Sequence, residues 1–220
     1  IVVAGGIGAP NLLQHAGHAF DVVFHGEVEE TWPRFLEHAE SGTVQPHYRQ
    51  FTRPDLTNAP IPRWDLIAED IPRYGTLSVQ TTRGCPHDCA FCDVIYTYGR
   101  RPRSKAVEQV LEEVRLLQRL GATMIFVADD NFGGGRREYA TILLRQLVEL
   151  NNSFPRPLVF MTQVDILVAG DDELLELLAD ANFADLMIGI ESVNPDSLQE
   201  MNKLQNLRVD PVEAVTHIQS

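Results

Sequence analysis

From residue 76 onwards, short apolar segments alternate with amphipathic stretches. The apolar segments predict strands over residues 77–81, 124–128, 158–162 and 186–190. Apolar positions three or four apart predict helices between these strands, with Ser104 and Asp171 as N-caps and Pro195 and Pro211 as further helix starts. Continuous apolar strands joined by such helices are typical of a parallel sheet covered on both faces. Four units are too few for a closed eightfold barrel, so we predict a partial one.

The first 42 residues show a separate alternation of strands and helices. Strands are predicted over residues 1–4 and 21–24, and helices over 11–16 and 29–40. This pattern predicts the second half of a doubly wound parallel domain. Residues 43–75 carry five prolines and no sustained periodicity, which predicts an extended, irregular connector.

Composition and charge narrow the classes of function. The formal net charge of −13 disfavours binding to nucleic acid. No apolar run is long enough to span a bilayer. The opening residues lack the charged region and the long apolar run of a secretory signal, so we do not expect them to act as one. Because the chain opens in a strand without an initiator methionine, we expect it to be part of a longer protein. The three cysteines fall within eight residues, which predicts metal binding or catalysis in a reducing compartment, the cytoplasm.

The cysteine segment carries the most specific chemical signal. Cys85, Cys89 and Cys92 have the spacing C-x3-C-x2-C and directly follow a predicted strand. Three thiolates on a tight loop can each bind one iron of a [4Fe–4S] cluster and leave the fourth iron without a protein ligand. A zinc site completed by His87 is the alternative, although a histidine inside the first gap makes tetrahedral closure awkward.

This motif resembles that of the radical S-adenosylmethionine (SAM) superfamily, in which an aromatic residue precedes the third cysteine. The resemblance implies that the amino and carboxylate groups of SAM chelate the open iron, that the cluster reduces SAM, and that Phe91 packs near the adenine. It further implies that SAM contacts follow the later strands, and we expect them among polar residues at the strand ends. These are Asp129, Asp130, Asn131, Gln163, Asp165, Glu191 and Ser192.

Each of these polar positions also has a structural interpretation. Asp129 to Asn131 could form a capping turn before three glycines, and Glu191 could cap the helix that begins at Pro195. The basic segment 99–105 could be a solvated helix entry or could bind an anion such as a SAM carboxylate. No residue is assigned as a catalytic acid or base.

The leading segment resembles the second half of a cobalamin-binding domain. Gly5-Gly6 and Gly26-Glu27 each follow a predicted strand, where glycine allows the backbone to approach a bulky ligand. The resemblance implies cobalamin contacts at these four residues. Val28 departs from the glycine-rich turn of that family, and His15, His18 and His25 do not reproduce its cobalt-ligating motif.

Together the resemblances imply a partial radical SAM barrel (76–220) preceded by half of a cobalamin-binding-like domain (1–42) and a connector (43–75). Segments 78–84, 98–103 and 129–132 are similar to the branch that contains the hopanoid C-methylases. We therefore expect reductive SAM cleavage and cobalamin-dependent C-methylation of a small-molecule or lipid-like substrate, with flavodoxin or ferredoxin as electron donor. A methylthiotransferase-type enzyme and a non-enzymatic iron–sulfur module are the alternatives.

Overall fold

A computed structural model describes residues 1–6, 8–9 and 19–220, which divide into two compact units, Ile1–Asp55 and Leu56–Ser220. The helix predicted over residues 11–16 lies outside the described residues, and so do His15 and His18. Within the part of the chain described, no helix is both long and apolar enough to span a membrane.

The first unit is a three-stranded parallel sheet in the order β1-β2-β3. Its elements are β1 (Val3–Ala4), β2 (Val22–His25), α1 (Thr31–Ser41) and β3 (His47–Arg49). Its core is aromatic: the ring of Phe24 lies 5.3 Å from that of Tyr48 and 5.5 Å from that of Phe35. Helix α1 therefore closes one face of this sheet through Phe35.

Strand β3 shows that regular structure continues past residue 42. The connector predicted over residues 43–75 contains this strand, which pairs with β2 in parallel. Pro46 does not prevent the pairing because only its carbonyl is used, accepting from Val23 N at 2.9 Å. The buried Tyr48 ring packs against Phe24 and holds the strand in place. The number of prolines in the segment does not predict this contact.

The second unit contains six strands. They are β4 (Leu77–Val79), β5 (Thr82–Arg83), β6 (Arg103–Ser104), β7 (Met124–Val127), β8 (Val159–Val164) and β9 (Phe183–Ile188). Strands β4, β7, β8 and β9 form a parallel sheet in that order, and β5 pairs with β6 in antiparallel orientation. The predicted α/β fold with a parallel sheet is confirmed.

Helices follow the strands of the parallel sheet and cover it. They are α2 (Val94–Thr97), α3 (Val107–Arg119), α4 (Arg137–Ser153), α5 (Asp172–Asp180), α6 (Pro195–Glu200) and α7 (Pro211–Ile218). Short 3-10 turns cover Trp64–Ile67, Ile71–Arg73, Ile166–Gly170 and Leu204–Arg208. One apolar core joins the sheet to α3, α4 and α5 through fully buried residues such as Leu117, Ile125, Leu143 and Phe160.

Most of the predicted helix starts are confirmed. Asp171 accepts a hydrogen bond from Leu174 N at 3.2 Å, and Pro195 and Pro211 each begin a helix. Ser104 is not an N-cap. It lies in β6, paired with Thr82, and its hydroxyl accepts from Arg136 Nη2 at 2.7 Å, so α3 begins only at Val107.

Candidate functional site

The carboxyl ends of β7, β8 and β9 face a cavity of about 280 Å³. The three cysteines line it together with charged, amide and apolar side chains from the strand ends and from the segment after α6. The other lining residues are His87, Phe91, Val94, Asp130, Asn131, Gln163, Val164, Asp165, Met187, Gly189, Glu191, Lys203 and Gln205. Strand ends are where ligands bind in open α/β sheets, so this cavity is the candidate site.

A tight turn brings the cysteine loop to this cavity. Gly84 has a φ of +104°, and a Cβ there would lie 2.8 Å from the carbonyl oxygen of Gly99. Its N–H donates to Asp130 Oδ2 at 2.7 Å, and Cys85 N donates to Gly99 O at 3.2 Å. The turn therefore requires glycine just before the first cysteine, and Asp130 fixes it from the end of β7.

The position of His87 bears on the zinc alternative. Among the described residues, no three His, Cys, Asp or Glu side chains converge closely enough to hold one metal ion. A [4Fe–4S] cluster has no such requirement, because each thiolate binds a different iron. His87 is also engaged elsewhere, since its Nε2 lies 2.7 Å from Asp165 Oδ2. The geometry therefore disfavours the zinc alternative.

The surroundings of Cys85 disfavour its ionisation. Burial raises the pKa of Cys85, and the neighbouring Cys89 and Cys92 add to this because their negative charges would repel a thiolate. Hydrogen bonds from the His87 backbone and the Asn131 side chain act in the opposite direction. Iron ions provide the positive charge that such a set of thiolates requires.

Asp129 does not line the cavity, and its predicted role in holding SAM is wrong. The side chain is fully buried. Its Oδ1 accepts from the backbone N–H groups of Thr81 and Thr82 at 2.6 and 2.9 Å, and its Oδ2 from their hydroxyls at 2.5 and 2.7 Å. Burial raises the pKa of Asp129 despite these four donors. The residue instead fixes the segment that leads into the cysteine loop.

Asn131 and Asp165 meet at the ends of β7 and β8. Asn131 Nδ2 donates to Asp165 Oδ2 at 2.8 Å, and Asp165 N donates to Asn131 Oδ1 at 3.0 Å. Burial raises the pKa of Asp165, but hydrogen bonds from His87 and Asn131 outweigh it and hold that pKa below its ordinary value. Asn131 Nδ2 also approaches Cys85 Sγ at 3.9 Å. These contacts connect the cysteine loop to two strands at once.

Gln163 and Glu191 reach the cavity as predicted. Gln163 Nε2 donates to the Asp129 carbonyl at 3.4 Å. Glu191 has a φ of +60°, a left-handed conformation that costs free energy outside glycine and is concentrated at functional sites. It does not cap α6, because Asn194 does so. Ser192 lines a different cavity, together with Val193 and Pro195, and its contact with SAM stays a prediction.

Lys203 is the functional candidate that sequence reasoning missed. Its side chain is 9% exposed, and its Nζ donates to Glu191 Oε1 at 2.9 Å. The same Nζ lies 5.6 Å from the centre of the Phe91 ring. A buried cation on a cavity wall is unusual enough to indicate a site. In the sequence, Lys203 follows a short helix, and nothing in the neighbouring residues predicts that its side chain is buried.

The segment that follows α6 also supports the cysteine loop. Ala90 N donates to Met201 O at 2.8 Å, and Asn202 Nδ2 donates to Asp88 O at 2.5 Å. Gln205 Nε2 approaches Cys89 Sγ at 3.5 Å. These partners lie more than 100 residues apart in the chain, so no local pattern indicates them.

The basic segment 99–105 is held by structural contacts. Arg100 donates to Asp88 at 3.4 Å and to the Pro86 carbonyl at 3.2 Å. Lys105 forms a buried pair with Glu113 at 3.0 Å. Neither side chain lines the candidate cavity, and the anion-binding interpretation of the segment stays a prediction.

In the first unit, the predicted cobalamin residues share one sheet edge. Gly5 and Gly6 follow β1, and Gly26 and Glu27 follow the neighbouring parallel strand β2. Gly26 has a φ of +83°, and a Cβ there would lie 2.8 Å from Gln50 O. For Gly6, at φ +88°, no atom of the described residues lies within 4 Å of the place a Cβ would take. The backbone at this edge is closely packed at Gly26.

Comparison with known proteins agrees with this geometry. The profile of the radical SAM superfamily matches residues 79–218. The chain is 37% identical to the uncharacterized methyltransferase sll1242 of Synechocystis sp., over 99% of this chain and 40% of that protein. It is 32% identical to the hopanoid C-2 methylase of Rhodopseudomonas palustris, over 91% of this chain and 38% of that protein.

A solved structure shares the fold across both units. It is that of the cobalamin-dependent S-adenosylmethionine radical enzyme OxsB with aqua-cobalamin and S-adenosylmethionine bound. The TM-score is 0.74 at 18% identity, over 99% of this chain and 34% of that one. The chain thus spans about 40% of the length of the curated relatives it matches. The resemblance indicated by the cysteine motif is confirmed: the chain belongs to the radical SAM superfamily.

Proposed function

We propose that the protein containing this chain is a cobalamin-dependent radical SAM enzyme that methylates an unactivated carbon of a small-molecule or lipid-like substrate. The observation that carries the proposal is the placement of three thiols, a buried lysine and several carboxylates around one cavity at the strand ends. When bound there, a [4Fe–4S] cluster supplies the electron that cleaves the sulfonium of SAM.

The chain's own residues match the charges of SAM. The methionine part of SAM carries a carboxylate and an ammonium group. Lys203 is the buried cation of the cavity and can pair with the carboxylate. Asp130 and Glu191 line the same cavity and can accept from the ammonium group or the ribose hydroxyls. Phe91 is 55% exposed and lines the cavity, where it can stack on the adenine.

We further propose that the first unit (Ile1–Asp55) contributes to a cobalamin site at the edge formed by Gly5, Gly6, Gly26 and Glu27. The support is the similarity to OxsB, whose structure was solved with aqua-cobalamin bound, and to a hopanoid methylase. Cobalamin, when bound, supplies the methyl group. The chain's part is to offer a glycine backbone that a bulky ligand can approach.

Two further expectations follow from this chemistry. Because the cluster must be reduced and is sensitive to oxygen, we propose a cytoplasmic location and a flavodoxin or ferredoxin as electron donor. The acidic chain offers no support for a nucleic-acid substrate, which disfavours methylation or methylthiolation of tRNA.

The test is anaerobic reconstitution of the full-length protein with iron and sulfide, with or without cobalamin. We expect about four irons per chain, an EPR signal that changes on adding SAM, and 5′-deoxyadenosine under a strong reductant. A Cys89→Ala variant should lose these signals, and an exposed-surface Glu176→Gln variant should keep them. Bound zinc, or a cluster unresponsive to SAM, would contradict the proposal, and sulfur insertion instead of methyl transfer would favour the methylthiotransferase alternative.

A further inference from the structure

We infer that Gln205 donates a hydrogen bond to the cluster-bound sulfur of Cys89 and thereby raises the reduction potential of the cluster. The inference rests on the proposed cluster. Gln205 Nε2 lies 3.5 Å from Cys89 Sγ, and both side chains are buried, at 5% and 9% exposure. The amide therefore meets the sulfur away from bulk water, where a hydrogen bond has its full effect.

The chemistry of the pair allows only one direction of donation. A sulfur bound to iron has lost its proton, so it can only accept. A glutamine amide offers two N–H donors on its nitrogen and only acceptors on its oxygen. The nitrogen must therefore face Cys89 when the cluster is present, as it does in the structure.

The segment around Gln205 holds this contact in place. Met201 and Asn202, a few residues earlier, bond to the backbone of the cysteine loop at Ala90 and Asp88. Gln205 itself lies in the 3-10 turn Leu204–Arg208. Two anchors on the same loop fix the distance between the amide and Cys89, so the donor is oriented before the cluster is reduced.

The consequence for the potential follows from charge. Reduction adds one negative charge to the cluster and its thiolates. A donor aimed at a ligand sulfur stabilises the reduced form more than the oxidised form, and hydrogen bonds to sulfur are among the factors that set cluster potentials. Removing the donor should therefore lower the midpoint potential and make the cluster harder to reduce.

The experiment is a redox titration of the reconstituted full-length protein, monitored by EPR without SAM. Gln205→Met preserves length and removes the donor, and Gln205→Glu also adds a negative charge. We expect a lower midpoint for the first and a still lower one for the second. Gln109→Met is the matched control, because Gln109 also donates from its side-chain amide, to the Ala59 carbonyl, but does not line the cavity, so its midpoint should equal that of the wild type.

An unchanged midpoint in Gln205→Met at full iron and sulfide content would overturn the inference, while 5′-deoxyadenosine formation would still support the proposed function. If the Gln205 variants fail to hold a cluster, the contact is tested by pulsed EPR on a Gln163→Met protein whose glutamine side chains carry 15N. This substitution removes the other glutamine that lines the cavity. A nitrogen coupling to the reduced cluster supports the inference, and its absence overturns it. A wild-type protein without iron and sulfide would overturn the proposed function and this inference together.

Discussion

Two replacements of Asp129 distinguish the effect of its hydrogen bonds on stability from the effect of its charge. In Asp129→Ala, two buried backbone N–H groups, those of Thr81 and Thr82, lose their acceptor. An unsatisfied buried donor costs about 1–3 kcal/mol, whereas the two hydroxyls can turn to other partners. We therefore expect a loss of about 3 kcal/mol, which for a domain of this size lowers the melting temperature by roughly 6–12 °C.

The isosteric variant Asp129→Asn should behave differently. Its amide oxygen can keep the two backbone donors, and its amide nitrogen can donate to the hydroxyls of Thr81 and Thr82, which accept as readily as they donate. No group is left without a partner, so we expect a change within about 1 kcal/mol. Equal losses in the Ala and Asn variants, or none in either, would refute this account.

The pH dependence of stability provides a second, independent test of the role of Asp129. Because burial raises the pKa of Asp129, the folded state binds its proton more tightly than the unfolded state. The stabilisation that this tighter proton binding gives to the folded state is complete below the ordinary Asp pKa of about 3.9. It is lost as the pH rises through the raised pKa of the folded state. The stability of Asp129→Asn relative to wild type should thus increase as the pH rises above 4, measured by thermal unfolding of the cluster-free protein. A difference that is constant with pH would show that Asp129 has no raised pKa.

Three further substitutions test the site. Gly84→Ala forces a Cβ to within 2.8 Å of Gly99 O at a φ of +104°, so bound iron should fall by more than half on reconstitution, whereas Gly170→Ala, in open space, should keep it. With the cluster intact, Lys203→Met should weaken the binding of SAM at least tenfold in equilibrium dialysis, because the buried cation is lost. Lys203→Arg keeps the charge and should retain part of the affinity. If both variants bound SAM as tightly as the wild type, Lys203 would be excluded from the SAM site. Gly26→Ala should reduce cobalamin retention severalfold, measured by absorbance after gel filtration, because its Cβ would displace the backbone at Gln50.

Local patterns were sufficient to predict much of the fold. The parallel strands, the cap at Asp171 and the helix starts at Pro195 and Pro211 follow from periodicity and from the chemistry of single residues. The cysteine spacing likewise identified the cluster loop. Ser104 shows the limit of such patterns: its residue type suits a cap, but pairing between β5 and β6 decides its conformation.

The site needed information that periodicity does not contain. Asp129 and Asp130 are neighbours with the same functional group, but one is buried against Thr81 and Thr82 and the other reaches the cavity. At a strand end, successive side chains point to opposite sides, and the sequence does not show which side carries the cavity. Lys203 and Gln205 were missed because their partners lie on other elements, 12 and 116 residues away.

The cysteine loop is held from two sides by contacts that do not involve a metal. From β7, Asp130 accepts from Gly84 N, and from the segment after α6, Met201 accepts from Ala90 N. Ordering a loop of this length would otherwise cost about 1–2 kcal/mol per residue when the cluster binds. Since these bonds already restrict the backbone at both ends of the motif, less of the binding free energy of the cluster is lost to ordering the protein. The same rigidity would hold a cluster bound by the three cysteines at the cavity that Lys203 and Glu191 line, and these two residues could bind the opposite charges of a cosubstrate there.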